Sequence, residues 1–155
     1  SSYSPIPKDQ VILVDTKSGW GTGAHPTTRL CLDFLTNRIV ANDIVLDYGT
    51  GSGILSIFAA KLGAIQCLAV DIDDDTLIAA RRNVEINQVG SKVEVIHTKS
   101  VYIGDDSFPT ADITVANILP GPLSRLVAPL WFMTKPGGWL CLSGMRPHEL
   151  PGIKR

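Results

Sequence analysis

Short apolar runs alternate along the chain with segments whose apolar residues recur at helical spacing. Five runs have the length of strands, and the segments between them repeat every three to four residues, as amphipathic helices do. The strand-like runs lie at 44–46, 67–70, 93–97, 111–117 and 139–144. This alternation predicts an α/β fold with a doubly wound, mostly parallel sheet and helices on both faces. An additional run at 11–14 predicts an edge strand or a connecting segment.

The run at 44–46 enters a turn with glycine at every second position, Gly49, Gly51 and Gly53. The chain then leaves as an apolar helical segment that ends at Gly63, a residue typical of helix C-termini. Glycine adopts backbone conformations that other residues avoid, and it lets a ligand lie against the main chain. The helix behind the turn also offers N–H groups without partners inside the helix. The pattern predicts a strand, a ligand-binding turn and a helix.

An acid follows the glycine turn at a spacing typical of nucleoside-binding proteins. Asp71 ends the second strand, 22 positions after Gly49. In nucleotide-binding α/β folds, an acid about 20 residues beyond the glycines holds the ribose hydroxyls. The alternative is a tight turn and a surface aspartate in an ordinary α/β domain. The acids at 73–75 are better explained as charges at a helix start, where the helix dipole favours them.

Two further polar positions are candidates for the same site. Thr27 or Thr28 could cap the first helix, although a plain cap does not need the three glycines that precede them. Asn117 ends the fourth strand, where an asparagine is typically a turn former. Because the carboxyl ends of parallel strands share one edge of a sheet, Gly49, Asp71 and Asn117 are predicted to lie on one rim.

The spacing of the glycines separates two classes of nucleoside ligand. Dinucleotide enzymes use G-x-G-x-x-G, whose third glycine packs the helix on the strand. Here the spacing is G-x-G-x-G, Ile54 stands where that third glycine would lie, and the turn contains no Arg or Lys. A nucleoside without a pyrophosphate, such as S-adenosylmethionine, fits this turn better. The alternative is a nicotinamide-dependent oxidoreductase that binds NAD.

Composition and charge narrow the function classes. With 155 residues, 45% of them hydrophobic and 19% charged, the chain is predicted to form one globular domain. The formal net charge of −1 and the lack of a basic run argue against direct binding of nucleic acid. The apolar stretches are shorter than a bilayer requires, so no membrane association is predicted.

Cysteine and histidine usage predicts a reducing compartment and no metal site. The cysteines and histidines are far apart in the sequence, at Cys31, Cys67, Cys141, His25, His97 and His148. An odd number of cysteines without C-x-x-C spacing fits free thiols rather than disulfides or zinc. A cytoplasmic location follows. Because the chain begins at Ser1 rather than Met, a processed product in an organelle matrix or stroma is left open.

Several segments resemble those of ribosomal protein L11 methyltransferases. They are G-T-G-A-H-P-T-T-R-L-C-L at 21–32, the Gly49 turn, D-I-D at 71–73, A-N-I-L at 116–119 and L-S-G at 142–144. The resemblance implies a class I, Rossmann-like fold and transfer of methyl groups from S-adenosylmethionine. It also implies a protein substrate, an L11-like ribosomal protein methylated on lysine side chains and N-terminal amines.

The resemblance assigns roles to residues on the predicted rim. Thr28, Gly49 and Gly51 would contact the cofactor, and Asp71 would hold its ribose hydroxyls. Asn117 would lie beside the methionine end of the cofactor and the incoming amine, which makes it the candidate catalytic residue. Because an asparagine cannot act as a base, the amine is expected to lose its proton to solvent before docking.

The resemblance also divides the chain into a linker or edge strand at 1–18, a methyltransferase domain at 19–145 and a tail at 146–155. Members of the family carry a separate N-terminal recognition domain and two further strands, so the sheet is expected to lack its last strands. The fifth strand would then be an exposed edge that a partner chain could cover. The alternative function is a non-catalytic module that binds S-adenosylmethionine or assists assembly. Thr50 departs from the family, many members of which have a cysteine there.

Overall fold

Five parallel strands lie at the centre of the described structure, in the order β3-β2-β1-β4-β5. The computed structural model describes residues 11–15, 22–102 and 108–145. The strands are β1 (Ile44–Tyr48), β2 (Gln66–Asp71), β3 (Val93–His97), β4 (Ala111–Asn117) and β5 (Thr134–Ser143). The helices are α1 (Pro26–Arg38), α2 (Ile54–Leu62), α3 (Asp74–Ile86) and α4 (Pro120–Phe132), with a 3-10 turn at Thr98–Ser100. The predicted α/β fold with a parallel sheet is confirmed.

Helices cover both faces of the sheet. One core cluster contains buried residues of α1, α2 and α3, and the other contains buried residues of α4. Neighbouring strand residues point into opposite clusters, as Val45 and Leu46 do in β1 and Cys67 and Leu68 do in β2. Strands buried on both faces are apolar at successive positions, which explains the short continuous runs in the sequence.

The helix ends follow from local chemistry. At the end of α2, Gly63 has φ of +115° and donates to the carbonyls of the last turn, which confirms the predicted C-cap. The predicted threonine cap of α1 is wrong. Pro26 occupies the first position of that helix, so the cap is His25, whose ring nitrogen accepts from the main-chain N–H of Thr27 at 3.3 Å.

Two predicted segments differ from the structure. Residues 11–15 form no strand, so the edge-strand interpretation of 11–14 is wrong for the part of the chain that is described. β5 begins at Thr134 rather than at Trp139, because Ala111 pairs with Thr134 and the register then shifts before Ile113 pairs with Trp139. The rest of the predicted linker, the glycine-containing segment that extends to residue 21 and the predicted tail at 146–155 lie outside the described residues.

Among the described residues, no helix combines the length and apolar character needed to cross a membrane.

Candidate functional site

The candidate site lies at the carboxyl edge of the sheet, where the strand order reverses. β1 is flanked by β2 on one side and by β4 on the other. The chain runs from β1 through β2 to β3 in one direction, and then returns to the other side of β1 to form β4 and β5. In parallel sheets, ligands bind at such a switch point, beyond the carboxyl ends of the strands. Gly49 follows β1, Asp71 ends β2 and Asn117 ends β4, so the structure brings the predicted residues to one rim.

The glycine turn after β1 adopts a conformation that only glycine tolerates well. Gly49, Gly51 and Gly53 have φ values of +79°, +56° and +83°. The main-chain N–H groups of Gly49 and Thr50 both donate to the carbonyl of Val70, at 2.8 and 2.9 Å, and this joins the turn to the end of β2. The start of the glycine turn is therefore hydrogen-bonded to the end of the neighbouring strand.

The glycines of this turn have different surroundings. A Cβ atom on Gly49 would collide with the side chain of Ile118, the residue after Asn117. A Cβ atom on Gly51 would meet no atom within 4 Å. Gly49 is thus required by protein packing, whereas the space beside Gly51 is open on the rim.

The carboxylate of Asp71 joins the glycine turn to the loop after β2. One oxygen accepts from the N–H of Gly51 at 3.0 Å, and the other accepts from the N–H groups of Ile72 and Asp73 at 2.8 and 3.2 Å. The side chain of Asp73 instead caps α3 by accepting from the N–H of Thr76 at 2.7 Å. Asp74 and Asp75 lie in the first turn of that helix, so the interpretation of these acids as helix-start charges is confirmed.

Thr28 and Asn117 meet across the rim. Thr28 is only 4% exposed, and its hydroxyl accepts a hydrogen bond of 3.2 Å from the side-chain nitrogen of Asn117. Thr27 instead bonds to the ring of His25 at 2.7 Å. Of the two candidate threonines, Thr28 is therefore the one that belongs to the site.

Asp47 is a site residue that the sequence analysis missed. Its side chain is fully buried in β1, and one carboxylate oxygen accepts from the hydroxyl of Thr50 at 2.6 Å and from the hydroxyl and N–H of Ser56 at 2.9 and 3.2 Å. Among the described residues, the other oxygen has no partner. Asp47 thus caps the start of α2 from its position in β1, the strand that precedes the glycine turn. Its signal in the sequence is a carboxylate inside an apolar strand, two positions before the first glycine of the turn.

Burial governs the ionisation of Asp47. Desolvation raises the pKa of this carboxyl to about 6, although the hydrogen bonds from Thr50 and Ser56 act in the opposite direction. The negative charge of Asp71 adds to the increase in pKa. The turn is therefore held by a buried acid that titrates close to neutral pH.

The three cysteines are free thiols, and the fold brings two of them together. Cys31 of α1 and Cys141 of β5 are far apart in the sequence, yet they lie in one core cluster, and their interaction raises the pKa of Cys31 and lowers that of Cys141. Nearby, the ring of Phe34 contacts the ring of Trp139 edge-on at 6.3 Å, and the guanidinium of Arg38 lies 3.9 Å from the centre of the same ring. These contacts fix α1, and with it Thr28, over the end of the sheet.

The chain is similar to known proteins in both sequence and fold. The family model described as ribosomal protein L11 methyltransferase (PrmA) matches residues 1–153. The ribosomal protein L11 methyltransferase of Psychrobacter sp. (strain PRwf-1) is 41% identical over an alignment 155 positions long, which covers 97% of this chain and 50% of the relative. The chain spans about half the length of the curated relatives that it matches.

Two solved structures extend the comparison. The ribosomal protein L11 methylase of Lactobacillus delbrueckii subsp. bulgaricus matches with a TM-score of 0.78 and 34% identity, covering 99% of this chain and 76% of the other. A SAM-dependent methyltransferase of Thiobacillus denitrificans, solved with S-adenosyl-L-homocysteine, matches with a TM-score of 0.63 and 25% identity. That match covers 76% of this chain and 49% of the other.

Proposed function

The chain belongs to the ribosomal protein L11 methyltransferase family, and we propose that it transfers methyl groups from S-adenosylmethionine to amines of a ribosomal protein, L11 or one like it. The acceptor amines are lysine side chains or the N-terminal amine. The observation that carries the proposal is the contact of Asn117 with Thr28, on the rim that also holds Asp71. The rim thus places an amide suited to binding an amine, held by Thr28, at the same edge of the sheet as an acid suited to binding a ribose.

The residues on the rim fit S-adenosylmethionine. The space beside Gly51 lets a nucleoside approach the main chain, and the carboxylate of Asp71 is half-buried at the adjacent strand end. We assign the ribose hydroxyls to Asp71 and contacts with the cofactor to Thr28, Gly49 and Gly51. The T. denitrificans methyltransferase, whose structure holds S-adenosyl-L-homocysteine, supports a cofactor of this class.

Bound S-adenosylmethionine supplies a methyl group that its sulfonium already activates. The protein therefore has mainly to align the amine, and such alignment contributes up to roughly 7–11 kcal/mol in well-oriented reactions. Because the amide nitrogen of Asn117 donates to Thr28, the carbonyl oxygen of Asn117 is the atom that accepts from the incoming amine. Asn117 cannot remove a proton, so a lysine with an ordinary pKa of about 10.4 loses its proton to solvent before docking.

Calorimetric titration with S-adenosylmethionine, S-adenosylhomocysteine and NAD tests the cofactor. We expect the first two to bind and the Asp71→Asn variant to lose most of this affinity. Asp71→Asn keeps an oxygen for the N–H of Gly51 but removes the charge and one acceptor. The matched control is Asp75→Ala, which removes an equal charge from an exposed position in α3 and is expected to bind normally. Binding of NAD alone would contradict the proposal.

Transfer itself is tested with radiolabelled S-adenosylmethionine and purified ribosomal protein L11. Labelled L11, with label on lysine or the N-terminal amine, is the expected product. Cofactor binding without transfer to L11 or to total ribosomal protein would instead favour the non-catalytic module.

The partner and the compartment extend the same proposal. β5 is an edge of the described sheet, and Trp131 and Phe132 beside it are exposed at the end of α4. Because an open edge strand pairs readily with other chains, we propose that a partner segment covers β5. Slow hydrogen exchange at its outward amides is expected, and fast exchange would contradict a covered edge.

We place the protein in the cytoplasm, since its free thiols fit a reducing compartment.

A further inference from the structure

Two asparagines, Asn83 of α3 and Asn87 at the C-cap of that helix, hold the entering segment of the chain, residues 11–15. The side chain of Asn87 accepts from the N–H of Leu13 at 3.0 Å and donates to its carbonyl at 2.7 Å. The side-chain oxygen of Asn83 accepts from the N–H of Asp15 at 2.8 Å. Amides thus bind the main chain of this segment as a neighbouring strand would.

Asn83 also bonds to the glycine turn. Its side-chain nitrogen donates to the carbonyl of Ser52 at 2.9 Å, and Ser52 lies between Gly51 and Gly53. Asn83 is fully buried, so water cannot replace either partner. A single buried amide therefore joins the entering segment to the turn, through contacts with residues 68 and 31 positions away.

The two hydrogen bonds of Asn83 depend on each other. If the N–H of Asp15 is removed, the oxygen of Asn83 is left without a partner in the interior, which is costly. The side chain then gains by rotating toward another donor, and rotation breaks the bond to Ser52. Ser52 lies between Gly51 and Gly53, whose positive φ values allow the backbone to shift when this bond is lost.

We propose that Asn83 is a positioning residue that couples the entering segment to the glycine turn, so that the binding of residues 11–15 to α3 sets the affinity for the nucleoside cofactor. The inference rests on the proposed function, because it takes the glycine turn as the cofactor site. Since coupling between two sites is reciprocal, the cofactor must also tighten the hold of α3 on the entering segment.

A matched pair of variants isolates the hydrogen bond. Asp15→Pro and Asp15→Ala both lose the side chain that lies 3.5 Å from Arg82, but only Asp15→Pro loses the main-chain N–H. We expect Asp15→Pro to bind S-adenosylhomocysteine roughly five- to tenfold more weakly than Asp15→Ala, as befits one lost hydrogen bond. Equal affinity of the two variants would overturn the inference.

Two further measurements separate positioning from general stability. Val93→Ala truncates a buried side chain in β3, outside the turn, and is expected to lower the melting temperature without weakening the cofactor. In the unaltered protein, saturating S-adenosylhomocysteine should slow hydrogen exchange at the amides of Leu13 and Asp15. Unchanged exchange there would overturn the inference even if Asp15→Pro failed to fold. If the unaltered chain bound no cofactor, the proposed function would fail instead.

Discussion

The side-chain nitrogen of Asn117 donates a hydrogen bond of 3.2 Å to the hydroxyl of Thr28, 89 positions earlier in the chain. The bond joins the first helix to the end of β4 across the switch point of the sheet. It also orients the amide, because a nitrogen that donates to Thr28 turns the carbonyl oxygen away from it. The residue that we propose to position the acceptor amine is thus held by the residue that we propose to contact the cofactor.

We expect Asn117→Ala to lower kcat for L11 methylation on the order of 100-fold, since a misplacement of about 1 Å costs a comparable factor. Thr28→Val keeps the shape of its side chain but removes the acceptor, so we expect a smaller loss in kcat. Steady-state transfer of a radiolabelled methyl group measures kcat for both variants. Thr27→Val is the control, because its hydroxyl bonds to His25 rather than to the site. Full activity of Asn117→Ala would remove this residue from the mechanism.

Gly51→Ala should abolish cofactor binding in a folded protein. The added methyl group meets no protein atom within 4 Å, so the cost to stability is that of the positive φ alone, about 1–2 kcal/mol. The same methyl group occupies the space in which the cofactor would contact the main chain. Calorimetry with S-adenosylhomocysteine, together with a thermal melt, measures the two effects. Unweakened binding would mean that the ligand does not lie against Gly51.

Gly49→Ala should act through packing instead. The added methyl group would collide with Ile118, and the alanine would also have to adopt a strained φ. We expect the two effects to lower the free energy of unfolding by roughly 2–4 kcal/mol. Adding Ile118→Ala to this variant should recover the part due to the collision. A double-mutant cycle from urea denaturation, with Ile118→Ala alone as the reference, measures the coupling. Simple additivity of the two losses would contradict the contact.

The sequence predicted the parts of the site that depend on local chemistry. The alternation of strands and helices predicts the parallel sheet, and the glycine spacing together with Asp71 predicts the ligand-binding rim. Both patterns arise within one βαβ unit, so they are visible in a short stretch of sequence. The cap of α1 was mispredicted although its signal was local: Pro26 favours the first helical position and makes His25 the cap. Asp47 was missed because a carboxylate in a buried strand is informative only once Thr50 and Ser56 are seen to bind it.

Contacts between distant residues could not be predicted. The bonds of Asn83 to Asp15 and Ser52 join segments that no periodicity connects. Asn83 lies on a helix face that otherwise follows the apolar pattern, so its burial looks like an ordinary interruption. Likewise, the pairing of Cys31 with Cys141 requires the packing of α1 on β5, which follows from the strand order and not from the spacing of the cysteines.

The three thiols should differ in reactivity. The hydrogen bond with Cys141 and burial both raise the pKa of Cys31, whereas the bond from Cys31 lowers the pKa of Cys141, which is half-buried. Burial raises the pKa of Cys67 to about 12. Because the thiolate is the reactive form, pulse alkylation of the native protein should label Cys141 first. Mass spectrometry of the peptides measures the order, and earlier labelling of Cys67 would contradict it.

The last prediction concerns pH and the buried carboxylate beneath the glycine turn. Burial raises the pKa of Asp47 from 3.8, its ordinary value, to about 6 in the folded state. Between pH 3.8 and pH 6 the folded state therefore keeps a proton that the unfolded state has lost. The contribution of Asp47 to stability is thus fully present below pH 3.8 and is lost as pH rises through about 6. Other carboxylates act in the opposite direction, since hydrogen bonds hold the pKa of Asp73 below its usual value.

Comparison with Asp47→Asn separates this residue from the others, because the variant cannot titrate there and keeps an oxygen for Thr50 and Ser56. We expect the free energy of unfolding of the unaltered protein, relative to the variant, to fall by about 3 kcal/mol between pH 3 and pH 7, at about 1.4 kcal/mol for each pKa unit. Urea denaturation of both proteins across this range measures the difference. A difference that stays constant would show that the pKa of Asp47 is the same in the folded and unfolded states, and would contradict the effect of burial.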